Sequence, residues 1–343
     1  MGSSLSPELD RAALNRAITR GITFLHRNQL PHGEFKTYAS SDEKMEADCR
    51  FDSSPFVTSL ALYAIGFLRH PKVQEMTERG LDFLLSEMEG PGLWRYWSSR
   101  NPQHESLQPD LDVICCASHI LKRNGRAFPS NTAIVLASRN NRGLFYTYVA
   151  PRPSTPPGLR QEMGRLVSAE SLLVLLAAGM LHEIDCVVNA NVLLYLGENE
   201  HTQAAVEYLI DIVQRNKETD CSKYYRDPLA FYYMLSRATF SGVSSLGRAR
   251  EAVLKRIIVG QDGHSGFDTA LAAALTACSL LNFNHWASPL PETIATIQQT
   301  QRQDGSWRKS PLYLGPAPYY GSEELTTALC VEALARYLQR IEG

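Results

Sequence analysis

Two kinds of apolar segment alternate along the chain, and their alternation predicts its architecture. In segments 8–28, 73–88, 202–215 and 248–259, apolar residues recur at helical spacing on one side while the other side carries charge. That pattern belongs to a helix lying on a surface. Segments 54–68, 111–121, 185–196, 268–281 and 323–337 are apolar nearly all round, as in a helix buried inside a fold.

Between a segment of the first kind and one of the second stands a glycine closely followed by an aromatic ring. The copies are Gly33-Glu34-Phe35, Gly92-Leu93-Trp94, Gly143-Leu144-Phe145, Gly266-Phe267 and Gly305-Ser306-Trp307, with Ser222-Lys223-Tyr224 as a degenerate one. From Phe35 to Trp307 the mean spacing is about 54 residues, enough for two helices and their turns. Six helix pairs therefore fit the chain, and an all-α fold is expected: an (α/α)6 toroid of alternating inner and outer helices, spanning 1–343 as a single domain. An open solenoid is the rival, but its inner helices usually keep a polar concave face, so closure is favoured. The longest interval contains Pro151-Arg152-Pro153-Ser154-Thr155-Pro156-Pro157 and then the apolar stretch 166–181, which reads as an insertion at about 150–181.

Glycine ends the outer helix in a conformation other residues resist, and the ring behind it is expected to plug the gap between neighbouring pairs as a staple. A second aromatic often trails, as in Tyr38, Trp97, Tyr148 and Tyr313.

Charge narrows the functional classes. Lys plus Arg number 34 against 36 Asp plus Glu, so no basic field exists to hold nucleic acid. The run 166–181 is interrupted by Glu170 and is shorter than the roughly 20 residues of a membrane span; a buried or interfacial helix is expected. No export signal is read at the N-terminus. Seven cysteines are scattered without paired spacing, which suits a reducing cytoplasm.

Candidate chemistry collects where the inner helices begin. Asp52, Asp110, Asp112, Asp185, Asp227, Asp268, Glu323 and Glu324 all stand at such starts, and parallel inner helices would gather them at one mouth. Most are explained as helix caps. In Pro109-Asp110-Leu111-Asp112, however, Asp110 already occupies the cap position and Asp112 is surplus. A carboxyl there, facing an apolar cavity, would be kept protonated by desolvation and neighbouring acids, which describes a general acid. Asn189 shares a helix face with Asp185; it either bonds to a neighbouring element or points at a ligand. Aromatics including Trp94, Tyr96, Trp97, Tyr148, Tyr224, Tyr225, Tyr319 and Tyr320 lie in the connections toward the mouth, where they either pack or hold a cation on their faces. The pair Tyr319-Tyr320, just before Glu323, is the one most expected to touch a ligand.

Gln303-Asp304-Gly305-Ser306-Trp307 resembles the Q-W repeat of the squalene-hopene and oxidosqualene cyclases, with Gln29 before Gly33 and Gln261 before Gly266 as looser copies. The predicted toroid is similar to those enzymes and to protein prenyltransferase β subunits. Asp110-Leu111-Asp112-Val113 resembles the D-x-D-D motif of class II terpene cyclases, with Asp110 in the first position, Asp112 in the proton-donating one and Val113 where the final aspartate would stand. Class II cyclases usually combine two toroids, whereas this chain holds one, so its site would lie in the single mouth or at a contact with another chain.

The resemblance implies a class II-type isoprenoid cyclase acting on a terpene or meroterpenoid precursor. Asp112 would donate a proton, Asp110 would tune it, and Asp185, Asn189, Asp268, Trp94, Trp97, Tyr148, Tyr319, Tyr320 and Glu323 would surround the substrate. No cofactor is required by that chemistry, although Mg²⁺ could assist at Asp185 or Asp268 if the substrate is a diphosphate. The zinc site of prenyltransferases would need Asp185, Cys186 and an imidazole, yet the following inner helix offers none and His264 lies a repeat further on; no metal site is assigned. Two alternatives stay open: a non-catalytic toroid that binds an isoprenoid or peptide with a protein partner or as a homodimer, and a carbohydrate-active toroid with two mouth carboxylates as acid and base. The insertion would be a lid or a patch for peripheral membrane contact.

Overall fold

The computed structural model describes residues 10–153, 155–262, 267–313 and 317–342. In chain order its helices are α1 (Arg11–Asn28), α2 (Pro55–Ile65), α3 (Pro71–Ser86), α4 (Leu111–Arg123), α5 (Thr132–Ala137), α6 (Pro157–Leu166), α7 (Ala169–Ala177), α8 (Cys186–Leu196), α9 (Gln203–Gln214), α10 (Pro228–Phe240), α11 (Arg250–Asp262), α12 (Ala270–Asn282), α13 (Leu290–Gln299) and α14 (Glu323–Glu342). The inner ring is α2, α4, α8, α10, α12 and α14, each packed on the next, and α14 packs back on α2. The ring is closed. Helices α1, α3, α5, α9, α11 and α13 precede these in turn and form the outer layer, while α6 and α7 occupy the expected insertion.

The sequence explains which helix goes inside. Every residue of α2 is buried, as the apolar surround requires. Polar starts set the inner helices in register at one end: Ser54 caps α2, Asp110 caps α4, Asp185 caps α8, Asp227 caps α10 and Thr269 caps α12. Asp52 and Asp268 are thus not caps.

Between helices the glycine turns act as staples. Gly305 has φ +92°, and a Cβ there would overlap the carbonyl oxygen of Arg20 in α1; Gly33, at φ +99°, meets Arg79 of α3 in the same way. Each glycine thus seats the next outer helix against the turn. Trp307 is fully buried and its indole N–H donates to Ile297 O at 2.7 Å. The amide of Gln301 donates to Gly305 O at 3.0 Å and to Ala17 O at 2.9 Å. Gln29 repeats this on Gly33 O and Met76 O at 2.8 and 2.9 Å. The stapling glutamine is therefore Gln301, four residues before the glycine, and not the exposed Gln303. Gly266 and the side chain of Gln261 lie outside the described residues.

Four short strands, β1 (Tyr38–Ser40), β2 (Arg50–Phe51), β3 (Pro311–Tyr313) and β4 (Tyr319–Gly321), form one antiparallel sheet in the order β2-β1-β4-β3. It ties the connection after α1 to the connection before α14, on the side where the inner helices begin. Cys186 and Cys221 form a disulfide with Cα atoms 5.5 Å apart, which corrects the reading of unpaired cysteines: their 35-residue separation hid a contact between the start of α8 and the connection before α10. Among the described residues, no helix is long and apolar enough to cross a membrane.

Gly305→Ala should lower unfolding stability by about 3 kcal/mol, because it adds both positive-φ strain and a backbone clash. Gly164→Ala, on α6 with open space around it, should be neutral or slightly stabilising. Denaturant titration of both variants checks this; equal effects would contradict the staple.

Candidate active site

The cap of α4 presents the surplus acid. Backbone bonds from Leu111 N to Thr147 O (2.8 Å) and from Val149 N to Pro109 O (2.9 Å) pin the start of α4 against the segment carrying Tyr148. Asp110 Oδ1 accepts from Asp112 N at 2.7 Å, so its carboxylate closes the helix end. Asp112, the second residue of α4, reaches across to α8 and to the segment before α10. Its Oδ1 accepts from Asn191 Nδ2 on α8 at 2.5 Å, and its Oδ2 from the hydroxyl of Tyr225, before α10, also at 2.5 Å. Behind Asn191, Arg237 of α10 donates to Asn191 Oδ1 at 2.5 Å.

Burial sets the proton affinity of this group. Desolvation pushes Asp112 above the usual carboxylate range, while the bonds from Tyr225 and Asn191 and the charge of Arg237 pull it back. Asp110 is driven well up by burial and then by the neighbouring Asp112. Of the two, Asp112 is the better proton donor, because its conjugate base alone is met by side-chain donors and a cation.

Both carboxyl groups face a cavity of about 200 Å³. Phe56, Tyr96, Trp97, Tyr148, Tyr224, Tyr225, Tyr313 and Tyr320 wall it, with Leu107, Val113, Met180 and Val188 between them. Tyr313 and Tyr320 stack at 5.4 Å with planes 8° apart, and Tyr96 meets both edge-on at 6.0 and 5.9 Å. Such a chamber offers ring faces to positive charge and little water to quench it.

Neither a protein-family model nor a curated protein matches this sequence. Solved structures do. Type II terpene cyclase MstE from Scytonema is 16% identical, with a TM-score of 0.70 over 96% of this chain and 99% of that one. The chain has the fold of the type II terpene cyclases. A variant of MstE has been solved with its substrate, geranylgeranyl dihydroxybenzoate. ent-Copalyl diphosphate synthase from Streptomyces platensis is 14% identical, with a TM-score of 0.57 over 98% of this chain and 69% of that one. A possible GH105 family member from Salmonella enterica is 12% identical, with a TM-score of 0.55 over 98% and 97%. The ring alone therefore does not select a chemistry.

Of the residues expected from sequence, Asp110, Asp112, Trp97, Tyr148 and Tyr320 line one cavity. The others go elsewhere, each for a local reason. Trp94 is a staple, fully buried with its indole N–H on Leu84 O at 2.7 Å. Asn189 is spent on the turn of the preceding repeat, bonding Phe145 N and Phe145 O at 3.0 Å each. Asp185 caps α8 and accepts from Ser222 at 2.5 Å. Tyr319 alternates with Tyr320 along β4 and so faces the opposite side of the sheet, where it shares a polar groove with the exposed Asp268, Lys44 and Arg226. Glu323 lies beside Arg302 and Lys309, at 3.7 and 3.6 Å.

Metal options follow from these positions. Asp185 has its oxygens committed and Cys186 is bonded to Cys221, so the zinc arrangement does not fit these two residues, while Asp268 lies on the outer groove, away from the cavity. His264 lies outside the described residues. Among the described residues no three His, Cys, Asp or Glu side chains converge as a metal site.

Asn191 and Arg237 were not singled out from sequence. An arginine inside an otherwise apolar inner helix, PLAFYYMLSRATF, was the available signal. The trailing aromatics were a second one, because Trp97, Tyr148 and Tyr313 wall the cavity while the leading rings Phe35, Trp94, Phe145 and Trp307 are buried as staples.

Asp185 is raised to about 7, chiefly by burial. The unfolded chain gives up this proton near pH 4 and the folded chain only near 7, so stability should fall as pH rises across that interval. Asp185→Asn should flatten this part of the profile, as measured by urea unfolding between pH 4 and 8; an unchanged slope would contradict the assignment.

Proposed function

We propose that the protein is a class II-type isoprenoid cyclase in which Asp112 protonates the substrate. The observation that carries this reading is a buried carboxyl, unneeded as a cap, facing an aromatic cavity with both oxygens held from behind. In the neutral acid, Oδ1 keeps the Asn191 N–H and Oδ2 takes the Tyr225 O–H on a lone pair, leaving the Oδ2 proton free to face the cavity. That O–H bond breaks as its proton joins a terminal alkene carbon or an epoxide oxygen of a folded polyprenyl chain. The electrons of successive double bonds then close rings, the final cation gives up a proton to solvent at the mouth to restore an alkene, and solvent returns a proton to Asp112. The carboxylate left on Asp112 is stabilised by Asn191 and Tyr225, donors already in place before reaction. A carbohydrate-active reading is less well supported, since the two acids are near neighbours on one helix start and the walls are rings and alkyl groups.

Asp112→Asn keeps the size and loses the proton. Incubated with a panel of polyprenyl alcohols, diphosphates and prenylated aromatic acids, the wild type should give a cyclised product by mass spectrometry. The variant should give at least about 10³-fold less. Wild-type inactivity across the panel, or an active Asp112→Asn, would overturn the reading.

Substrate entry is proposed beside α7. Leu173, Val174 and Leu176 are exposed there, and Met180, just beyond, lines the cavity with Leu107. Gln108 holds α7 against this rim through Ser171 Oγ at 2.5 Å. Replacing Leu173 and Leu176 by serine should reduce co-sedimentation with phosphatidylcholine vesicles several-fold without lowering thermal stability. Equal sedimentation of both forms would remove the membrane role.

A further inference from the structure

The buried polar groups beneath Asp112 are not accounted for by packing. Arg237 is about 1% exposed and touches no carboxylate. One guanidinium nitrogen donates to Asn191 Oδ1 at 2.5 Å and to Cys116 Sγ at 3.5 Å, and its plane lies over Tyr63 and Tyr233 at 4.7 and 5.5 Å. The next acid along the axis, Glu332 of α14, is already engaged by Arg336 at 2.9 Å and by the Tyr233 hydroxyl at 2.9 Å. A buried cation is costly without a counter-charge. The acid that Arg237 reaches through one amide is Asp112.

We infer that Arg237, acting through Asn191, is a positioning residue that sets the acid strength of Asp112. The inference rests on the reading of Asp112 as the proton donor. Among the described residues, Asn191 is the amide whose oxygen takes the Arg237 N–H while its nitrogen gives a hydrogen to Asp112. Arg237 therefore fixes which way round the amide sits, and so guarantees a donor toward the acid. When Asp112 loses its proton, the new negative charge faces an oriented N–H backed by a guanidinium. Without that support the same burial would leave Asp112 a far weaker acid, unable to drive proton transfer to carbon.

Other groups around Asp112 do not replace this role. On α4, Asp110 and Cys116 add negative or neutral groups, and His119 is held neutral, pulled down to about 4 by burial and then by Arg237. From the other packed elements come Asp185 at the start of α8, Tyr225 before α10, Tyr63 on α2, Tyr233 on α10 and the Glu332–Arg336 pair on α14. Among these described groups Arg237 is the one cation not matched by a carboxylate at contact distance.

The test compares Arg237→Gln, which keeps a polar group and removes the charge, with Arg237→Lys, which keeps the charge. Two readouts are followed against pH: cyclisation rate, and the infrared carboxyl band of Asp112, identified by its loss in Asp112→Asn and titrated without substrate. Removing the positive charge disfavours the carboxylate, so in Arg237→Gln the band should persist to a pH at least about one unit higher. The alkaline limb of the rate should move the same way while the maximal rate falls about tenfold or more. Arg237→Lys should recover part of both. Should Arg237→Gln fail to fold, Asn191→Ala breaks the same relay and should shift the band in the same direction. An unmoved band midpoint in a folded variant overturns the inference. A shifted midpoint in a protein that cyclises nothing would instead sink the cyclase reading and leave the relay standing.

Discussion

Everything at this site follows from shutting carboxyl groups inside a closed ring whose inner helices all begin at the same end. Helix starts need acceptors, and acids supply them. Once the ring closes and aromatic connections roof it, water that would otherwise hold those carboxylates is excluded, and their affinity for protons rises. An architectural need for caps therefore produces a cluster of reluctant acids at an apolar mouth. Asp110 and Asp185 stay with the caps. Asp112, freed from that duty, faces the cavity beside Asp110 with both its oxygens held by side-chain donors.

The ring could be read from sequence because its period is enforced by packing. Each repeat must bury one helix wholly and another on one side, and at Gly33 and Gly305 the turn brings a glycine against the backbone of the next outer helix; such demands leave marks spaced about 54 residues apart. The acid was legible for a similar reason, since two aspartates at one helix start exceed what capping can use. Short strands were not legible, because two- and three-residue pairings carry no period of their own.

Side-chain direction was the harder problem. Asn189 and Asn191 stand two apart on one buried helix, some 200° around its axis, so one faces the preceding turn and the other the ring axis. With apolar residues all round, nothing in the sequence says which face is which, and the amide nearest Asp185 proved to be the structural one. The aromatics divide in the same way. Phe35, Trp94, Phe145 and Trp307, close behind their glycines, are buried, and Trp97, Tyr148 and Tyr313, three or more residues later, reach the cavity, whereas Tyr38 goes into β1. Tyr319 and Tyr320 are separated by strand alternation alone, which could be applied only once β4 was known.

A shared ring that serves both terpene cyclases and a possible glycoside hydrolase relative places the burden of chemistry on what lines it. An acid meant to protonate carbon faces opposing demands: a dry cavity protects the cation that forms, yet dryness weakens the acid that must form it. On the proposed reading, the arrangement around Asp112 would meet both by stabilising the conjugate base from the side away from the cavity. Asn191 approaches from within the helix ring, where it is itself oriented by a buried guanidinium, and Tyr225 supplies its hydroxyl to the acid while its ring serves as wall. The donors to Asp112 thus stand behind the carboxyl, and the space in front of it is walled mostly by rings and alkyl chains, with Asp110 and Thr147 beside them.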